Sequence, residues 1–273
     1  LRTRRELREK FRTELFGDMP ICRISPLPDD LLKSILRSGL TILGGRGTGK
    51  SNVAKIINSE IIRKQNGHIQ CKIVDKVANW VREFEPILYQ NLDSDTEEIY
   101  FGDDHILFNA HFRSRSEIKQ MVGKMVGLDY ELQWLYKEHG VMDNWILYTI
   151  EEAQNILGRY GLTGKQGEEW MVFISEGRNF NMNYIFIGQR AADIATQAIE
   201  RCEGYLFARM TGDNDLKKIA RICGKDEGVH EIVPTLDIGQ FIYWDGESAR
   251  KIVDVPLYET STRPMLWNGR NGI

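Results

Sequence analysis

The stretch Leu40-Thr41-Ile42-Leu43-Gly44-Gly45-Arg46-Gly47-Thr48-Gly49-Lys50-Ser51 decides the fold. Its first four residues suit a short buried strand, and Asn52 onward carries helical periodicity up to residue 64. Between them stands a full GxxxxGK[ST] match, Gly44 to Ser51. Glycines let the backbone curl so that successive N–H groups point inward at an anion, and the following helix presents its positive end to the same charge. Gly44, Gly45, Arg46, Gly47, Thr48, Gly49, Lys50 and Ser51 are therefore read as a phosphate-binding loop. Lys50 is placed to bridge the β- and γ-phosphates of a nucleotide, and the Ser51 hydroxyl to hold Mg²⁺.

Outward from this loop the pattern alternates between short apolar runs and longer helical stretches. Strands are expected at Leu40 to Leu43, Gln70 to Asp75, His105 to Asn109, Trp145 to Ile150, Tyr184 to Gly188 and Tyr205 to Arg209. Helices are expected near 50–64, 114–138, 167–178 and 212–222. Such alternation predicts an α/β fold of RecA-like P-loop type, a mostly parallel sheet with helices on both faces. Gly239 to Trp244 and Ala249 to Asp254 flank Asp245-Gly246-Glu247-Ser248 and read as a C-terminal antiparallel hairpin. The expected organisation is a basic helical arm and connector over 1–37, an ATPase domain over 38–255 and a tail over 256–273.

Two further strand tips carry polar groups. The run Trp145 to Ile150 ends in Glu151-Glu152, adjacent carboxylates where a P-loop sheet exposes its site. Glu151 is suited to the Mg²⁺ shell and Glu152 to orienting and deprotonating the water that attacks the γ-phosphate. The alternative is that both merely open a helix holding Ala153 to Leu157. Tyr184 to Gly188 ends in Gln189-Arg190, and the Gln189 amide is suited to bonding the γ-phosphate or the lytic water. Arg178 ends the helical stretch from Gly167, either as a surface cation or as an arginine finger completing a neighbour's site.

The order and spacing of GGRGTGKS (44–51), ILYTIEEAQ (146–154) and SEGRNFNMNYIFIGQRAADI (175–194) resemble the HerA/FtsK superfamily of ring-forming, DNA-pumping ATPases over about residues 38–255. The resemblance implies ATP and Mg²⁺ as ligands, Lys50 and Ser51 on phosphate and metal, Glu151 as the metal-side acid and Glu152 as the base. It also implies Gln189 as sensor, Arg178 acting in trans, double-stranded DNA as substrate and a homo-hexameric ring. Glu151 stands where an Asp is more usual in that group. Asp75 resembles the acid ending the group's second strand, but Lys76 to Trp80 replace the common Gly-acidic turn after it. A chain of 273 residues leaves no room for the larger members' appended domains, so a compact motor of viral packaging or mobile-element type is expected. A secretion or pilus ATPase acting on protein, and an ATP-gated assembly switch with little turnover, are the other readings.

Composition narrows what the surface can do. The 36 Lys and Arg against 39 Asp and Glu give a formal charge of -3, so any DNA grip must be a local patch rather than a coat of positive charge. The Gly-rich, basic segment Gly158 to Gly167, with Arg159 and Lys165, is the candidate pore loop, against the alternative of a plain surface loop. Arg113, Arg115, Lys119 and Lys124 form a second basic patch, and Arg2, Arg4, Arg5, Arg8, Lys10 and Arg12 a third on the arm. Cys22, Cys71, Cys202 and Cys223 form no CxxC pair, which argues against a zinc knuckle. With no apolar run near the roughly 20 residues of a spanning helix, a cytoplasmic protein without an integral membrane segment is expected, docking on a capsid, nuclease or membrane partner of unknown identity.

Overall fold

Leu40–Leu43, Met182–Gly188 and Gly204–Phe207 lie side by side at the centre of one sheet, every residue of the three runs buried. The computed structural model describes residues 21–23, 35–37, 39–65, 69–76, 80, 88–91, 105–110, 113–158, 165–246 and 251–255. Within them run ten strands: β1 Ile21–Arg23, β2 Leu40–Leu43, β3 Ile69–Asp75, β4 Leu88–Asn91, β5 Ile106–Asn109, β6 Trp145–Ile150, β7 Met182–Gly188, β8 Gly204–Phe207, β9 Gln240–Trp244 and β10 Lys251–Asp254. Their order is β1-β10-β9-β8-β2-β7-β6-β3-β5-β4. Pairing is parallel from β8 through β4, while β9 runs antiparallel to both β8 and β10. The expected parallel sheet and closing hairpin are both present.

The four long helices are α1 Lys50–Gln65, α2 Arg115–Glu138, α3 Lys165–Glu176 and α4 Asp213–Cys223. Successive side chains of a strand point to opposite faces, and the central strands accordingly feed two cores. Ile42, Ile73, Ile185, Ile187 and Leu206 meet Val53, Ala54 and Ile57 of α1 on one face. Val74, Tyr184, Phe186 and Phe207 meet Val122 and Met125 of α2, Trp170 and Phe173 of α3, and Ile219 of α4 on the other. A capping box starts α2: Ser114 accepts from the Glu117 backbone N–H at 3.3 Å and its own N–H donates to the Glu117 carboxylate at 2.7 Å.

One ionic contact lies inside this packing. The Lys72 ammonium of β3 reaches both carboxylate oxygens of Asp129 on α2 at 2.7 Å, each side chain about 1% exposed. The Tyr148 hydroxyl of β6 donates to the same carboxylate. Three elements are thereby tied at a buried point where apolar contact alone would allow sliding.

The structure departs from the sequence reading in three places. The edge strands β1 and β4 were not expected. No helix follows Glu152; a single 3-10 turn, Ala153–Asn155, takes its place. Helix α3 begins at Lys165 rather than near 167, so the candidate pore loop ends earlier and Lys165 opens a helix. The basic residues Arg2 to Arg12 of the arm, Arg159 and the tail from residue 256 lie outside the described residues. Among the described residues no helix is long and apolar enough to cross a membrane.

Candidate functional site

In a parallel sheet the loops leaving the carboxyl ends of the strands share one rim. The loop after β2 is pressed against its neighbours there. Gly44 N–H donates to the Gly188 carbonyl at 3.3 Å, Gly45 N–H to the Arg209 carbonyl at 2.9 Å, and Gly239 N–H to the Thr48 carbonyl at 3.2 Å. A Cβ on Gly44 would stand 2.5 Å from the Ala208 Cβ, which only glycine avoids. Gly47 and Gly49 hold φ of +73° and +98°, a backbone conformation that glycine adopts without the strain a Cβ would bring. The Thr48 hydroxyl and the Lys50 ammonium both donate to the Gly45 carbonyl at 2.8 Å. Burial pulls the Lys50 ammonium below the usual lysine range, and the negative charges of Glu151 and Glu152 oppose that shift.

Glu151 and Glu152 leave the tip of β6 in different directions. Glu151 is 4% exposed and takes hydrogen bonds from the Ser51 side chain and, at 2.9 Å, from the Trp80 indole N–H. Burial raises its pKa; the Ser51 and Trp80 bonds lower it, and the Asp75 and Glu152 charges add to the rise. Glu152 adopts the left-handed region, φ 53° and ψ 48°, a costly conformation for a residue with a Cβ. Its two carboxylate oxygens accept from the side-chain amides of Gln189 and Gln154. The arrangement presents a half-buried carboxylate, oriented by two donors, at the rim that carries the phosphate loop.

Ser51 and Glu151 fit a divalent cation of the Mg²⁺ type. They are adjacent hard oxygen donors already within hydrogen-bond reach of each other, one neutral and one anionic. Among the described residues no group of three or more His, Cys, Asp or Glu is arranged to hold a metal. Such an ion would therefore draw its remaining ligands from water and phosphate, the usual habit of Mg²⁺.

Lys50, Ser51, Glu151, Glu152 and Gln189 are thus brought together as the sequence predicts. Arg178 is not. It sits in the 3-10 turn Gly177–Phe180 before β7, whereas Gln189 follows β7, so about 20 Å of strand separates them. There its guanidinium is 54% exposed, 3.7 Å from Glu203, beside a shallow pocket that Arg37, Asn183 and Arg201 also line. Arg190, exposed at the phosphate rim, pairs with the buried Asp215 at 3.4 Å, and Asp215 also accepts from the Ala192 N–H at 2.9 Å. A cleft of about 350 Å³ opens there between Arg46, Gln189, Arg190 and Thr211.

Three participants escaped the sequence reading. Gln154 ends the stretch ILYTIEEAQ and was given no role. Asp215 lay in a stretch read simply as helix. Trp80, buried and bonded to Glu151, belongs to the segment that departs from the common turn, and Asp75 uses one carboxylate oxygen to accept from the Trp80 backbone N–H at 2.8 Å. Proximity in space, across 71 positions of sequence for Trp80 and Glu151, is the only signal that joins them.

This sheet order, mostly parallel with the phosphate loop after the central strand β2 and helices on both faces, is a RecA-like P-loop fold. No family model matches the chain, and no curated protein matches it by sequence. Among solved structures it is similar to the genome packaging NTPase B204 from Sulfolobus turreted icosahedral virus 2 in complex with ATP-γ-S, with TM-score 0.58 and 15% identity over 80% of this chain and 97% of that one. The conjugation coupling protein TcpA of pCW3 is similar at TM-score 0.54 and 13% identity, over 82% of this chain and 62% of that one. EccC of Thermomonospora curvata, ATPases 2 and 3 in complex with a signal sequence peptide, follows at 0.53 and 13%, over 81% and 37%.

Proposed function

We propose that this chain is an ATPase that turns ATP hydrolysis into movement of double-stranded DNA, working as a homo-oligomeric ring, with residues 38–255 as the motor unit. The observation that carries the reading is the meeting of Glu152, held by Gln189 and Gln154, with a phosphate loop whose Lys50 and Ser51 face the same rim. A site that only bound nucleotide would not need a carboxylate oriented by two amides in a strained backbone conformation.

In this reading the loop N–H groups and Lys50 cradle the triphosphate and offset the charge that develops on its leaving oxygens. Ser51 and Glu151 would hold Mg²⁺, whose charge would further neutralise the phosphates. Glu152 takes the proton of the attacking water, and Gln189, already bonded to Glu152, holds that water in line. Arg178 lies at the wrong end of β7 for its own chain's phosphates, so it serves a neighbouring subunit. That geometry makes the contact head-to-tail, the type that closes into rings. Arg159 and Lys165 are assigned to phosphate contacts along DNA, which position a duplex without reading sequence. The likeness to a genome packaging NTPase over 97% of its length supports a DNA substrate over a protein one.

The test is ATP turnover with and without duplex DNA, run beside a sizing measurement. Stimulation by DNA and an oligomer of several subunits are expected. Turnover that ignores DNA overturns the translocase reading in favour of a protein-handling motor or an assembly switch, and no turnover at all overturns the ATPase.

A further inference from the structure

Among the described residues Trp80 is the largest side chain fully buried near the phosphate rim, and its surroundings are not those of a residue that merely fills space. It lies in the core cluster with Val53, Ile57 and Ile73, yet both of its backbone and ring N–H groups are used on carboxylates. Its backbone N–H donates to Asp75 at the end of β3, and its indole N–H donates to Oε1 of Glu151 at the end of β6. The Lys55 ammonium of α1, one turn beyond Ser51, stands 5.8 Å from the ring centre. The ring is therefore held between the tips of two strands and the helix that begins at the phosphate loop.

We propose that Trp80 is the positioning residue for the metal-side carboxylate, and that Asp75 acts through Trp80 rather than on the nucleotide. The proposal rests on the reading of Ser51 and Glu151 as the cation pair. A glutamate has three rotatable side-chain bonds, and a cation site needs them fixed. The indole N–H ties down one oxygen, leaving the carboxylate's other lone pairs for Ser51 and the cation's shell. Partners of this kind orient metal ligands, and their loss typically weakens metal affinity 10–100-fold.

The experiment measures binding of a fluorescent ATP analogue across a Mg²⁺ titration and in EDTA. Trp80→Phe keeps an aromatic ring and loses the N–H. Trp170→Phe is the matched control, since Trp170 is equally buried, lies in the opposite core and has an indole N–H without a hydrogen-bond partner. Trp80→Phe is expected to raise the Mg²⁺ concentration for half-maximal tightening about 10-fold or more, with affinity in EDTA within about twofold of wild type. Trp170→Phe is expected to leave the Mg²⁺ titration unchanged. Replacing Trp80 by 3-benzothienylalanine, which preserves ring size and lacks only the N–H, must give the same shift, and it covers the case in which Trp80→Phe does not fold. A wild-type titration curve from both Trp80 replacements, or an equal shift from Trp170→Phe, overturns the assignment and leaves the nucleotide site intact. A wild type that shows no Mg²⁺-dependent tightening overturns the Ser51–Glu151 reading first, and the role of Trp80 with it.

Discussion

The side-chain amide of Gln189 donates to a carboxylate oxygen of Glu152, joining the tips of β7 and β6 at the phosphate rim. Gln154 holds the other oxygen, so the carboxylate is oriented from both sides before any ligand arrives. The two amides fix the carboxylate's direction, which is what the base role proposed for it requires. Glu152→Gln is expected to bind ATP with near wild-type affinity and to lose about 10²–10⁴ in kcat. Gln189→Ala should lose less, about 10-fold or more, because Gln154 still holds one oxygen. Phosphate release and equilibrium binding of a fluorescent nucleotide separate the two effects. A kcat loss matched by a similar loss of affinity in Glu152→Gln would remove Glu152 from the chemistry.

Arg178 gives the sharpest test of assembly. Alone, Arg178→Ala should keep nucleotide affinity, since the residue is remote from its own chain's loop. Mixed into wild-type protein at increasing mole fraction, it should depress turnover below the straight line that dilution predicts. A straight line would mean that the residue is only an exposed cation paired with Glu203.

The buried pair beneath α2 governs stability rather than chemistry. Lys72→Met leaves Asp129 charged, 1% exposed and bonded only to Tyr148 among the contacts described above. Breaking a buried pair from one side costs about 3–5 kcal/mol, readable in urea unfolding. Adding Asp129→Leu removes the orphaned charge and should restore more than half of that loss.

Burial pushes the thiols of Cys71 and Cys202 up from 9.0 to about 12, and it raises the hydroxyls of Tyr148 and Tyr184 above the usual tyrosine range. A folded pKa above the unfolded one contributes stability that is whole below the unfolded value and fades as pH climbs toward the folded one. The melting temperature should therefore hold to about pH 9 and fall steadily above it. Cys202→Ala should flatten part of that fall, measured by thermal unfolding across pH 8 to 11.

The central strands and the phosphate loop were legible in the sequence because their constraints are local. A four-residue apolar run, a glycine pattern and a helical period can each be read within a dozen positions. Glu151, Glu152 and Gln189 were legible for a related reason, since each directly follows an apolar strand in a parallel sheet. The conformation of Glu152 was not, because a left-handed glutamate followed by one 3-10 turn has the same letters as a helix start. Strands β1 and β4 are three and four residues long and lie at opposite edges, so neither shows a full apolar period. Trp80, Lys72 and Asp129 illustrate the remaining gap. Their partners lie 71 and 57 positions away, and only the folded sheet sets them side by side.

The cross-ties of the phosphate loop to the ends of β7 and β8 and to Gly239 bear on when its disorder is lost. Fixing a backbone costs about 1–2 kcal/mol per residue at room temperature. Because the curl from Gly44 to Ser51 is already held by neighbouring strands, that entropy is surrendered when the domain folds and not when a ligand docks. Nucleotide binding then meets a rigid mould, and its free energy can go instead into shifting the group that grips it, the Lys50 ammonium leaving the Gly45 carbonyl.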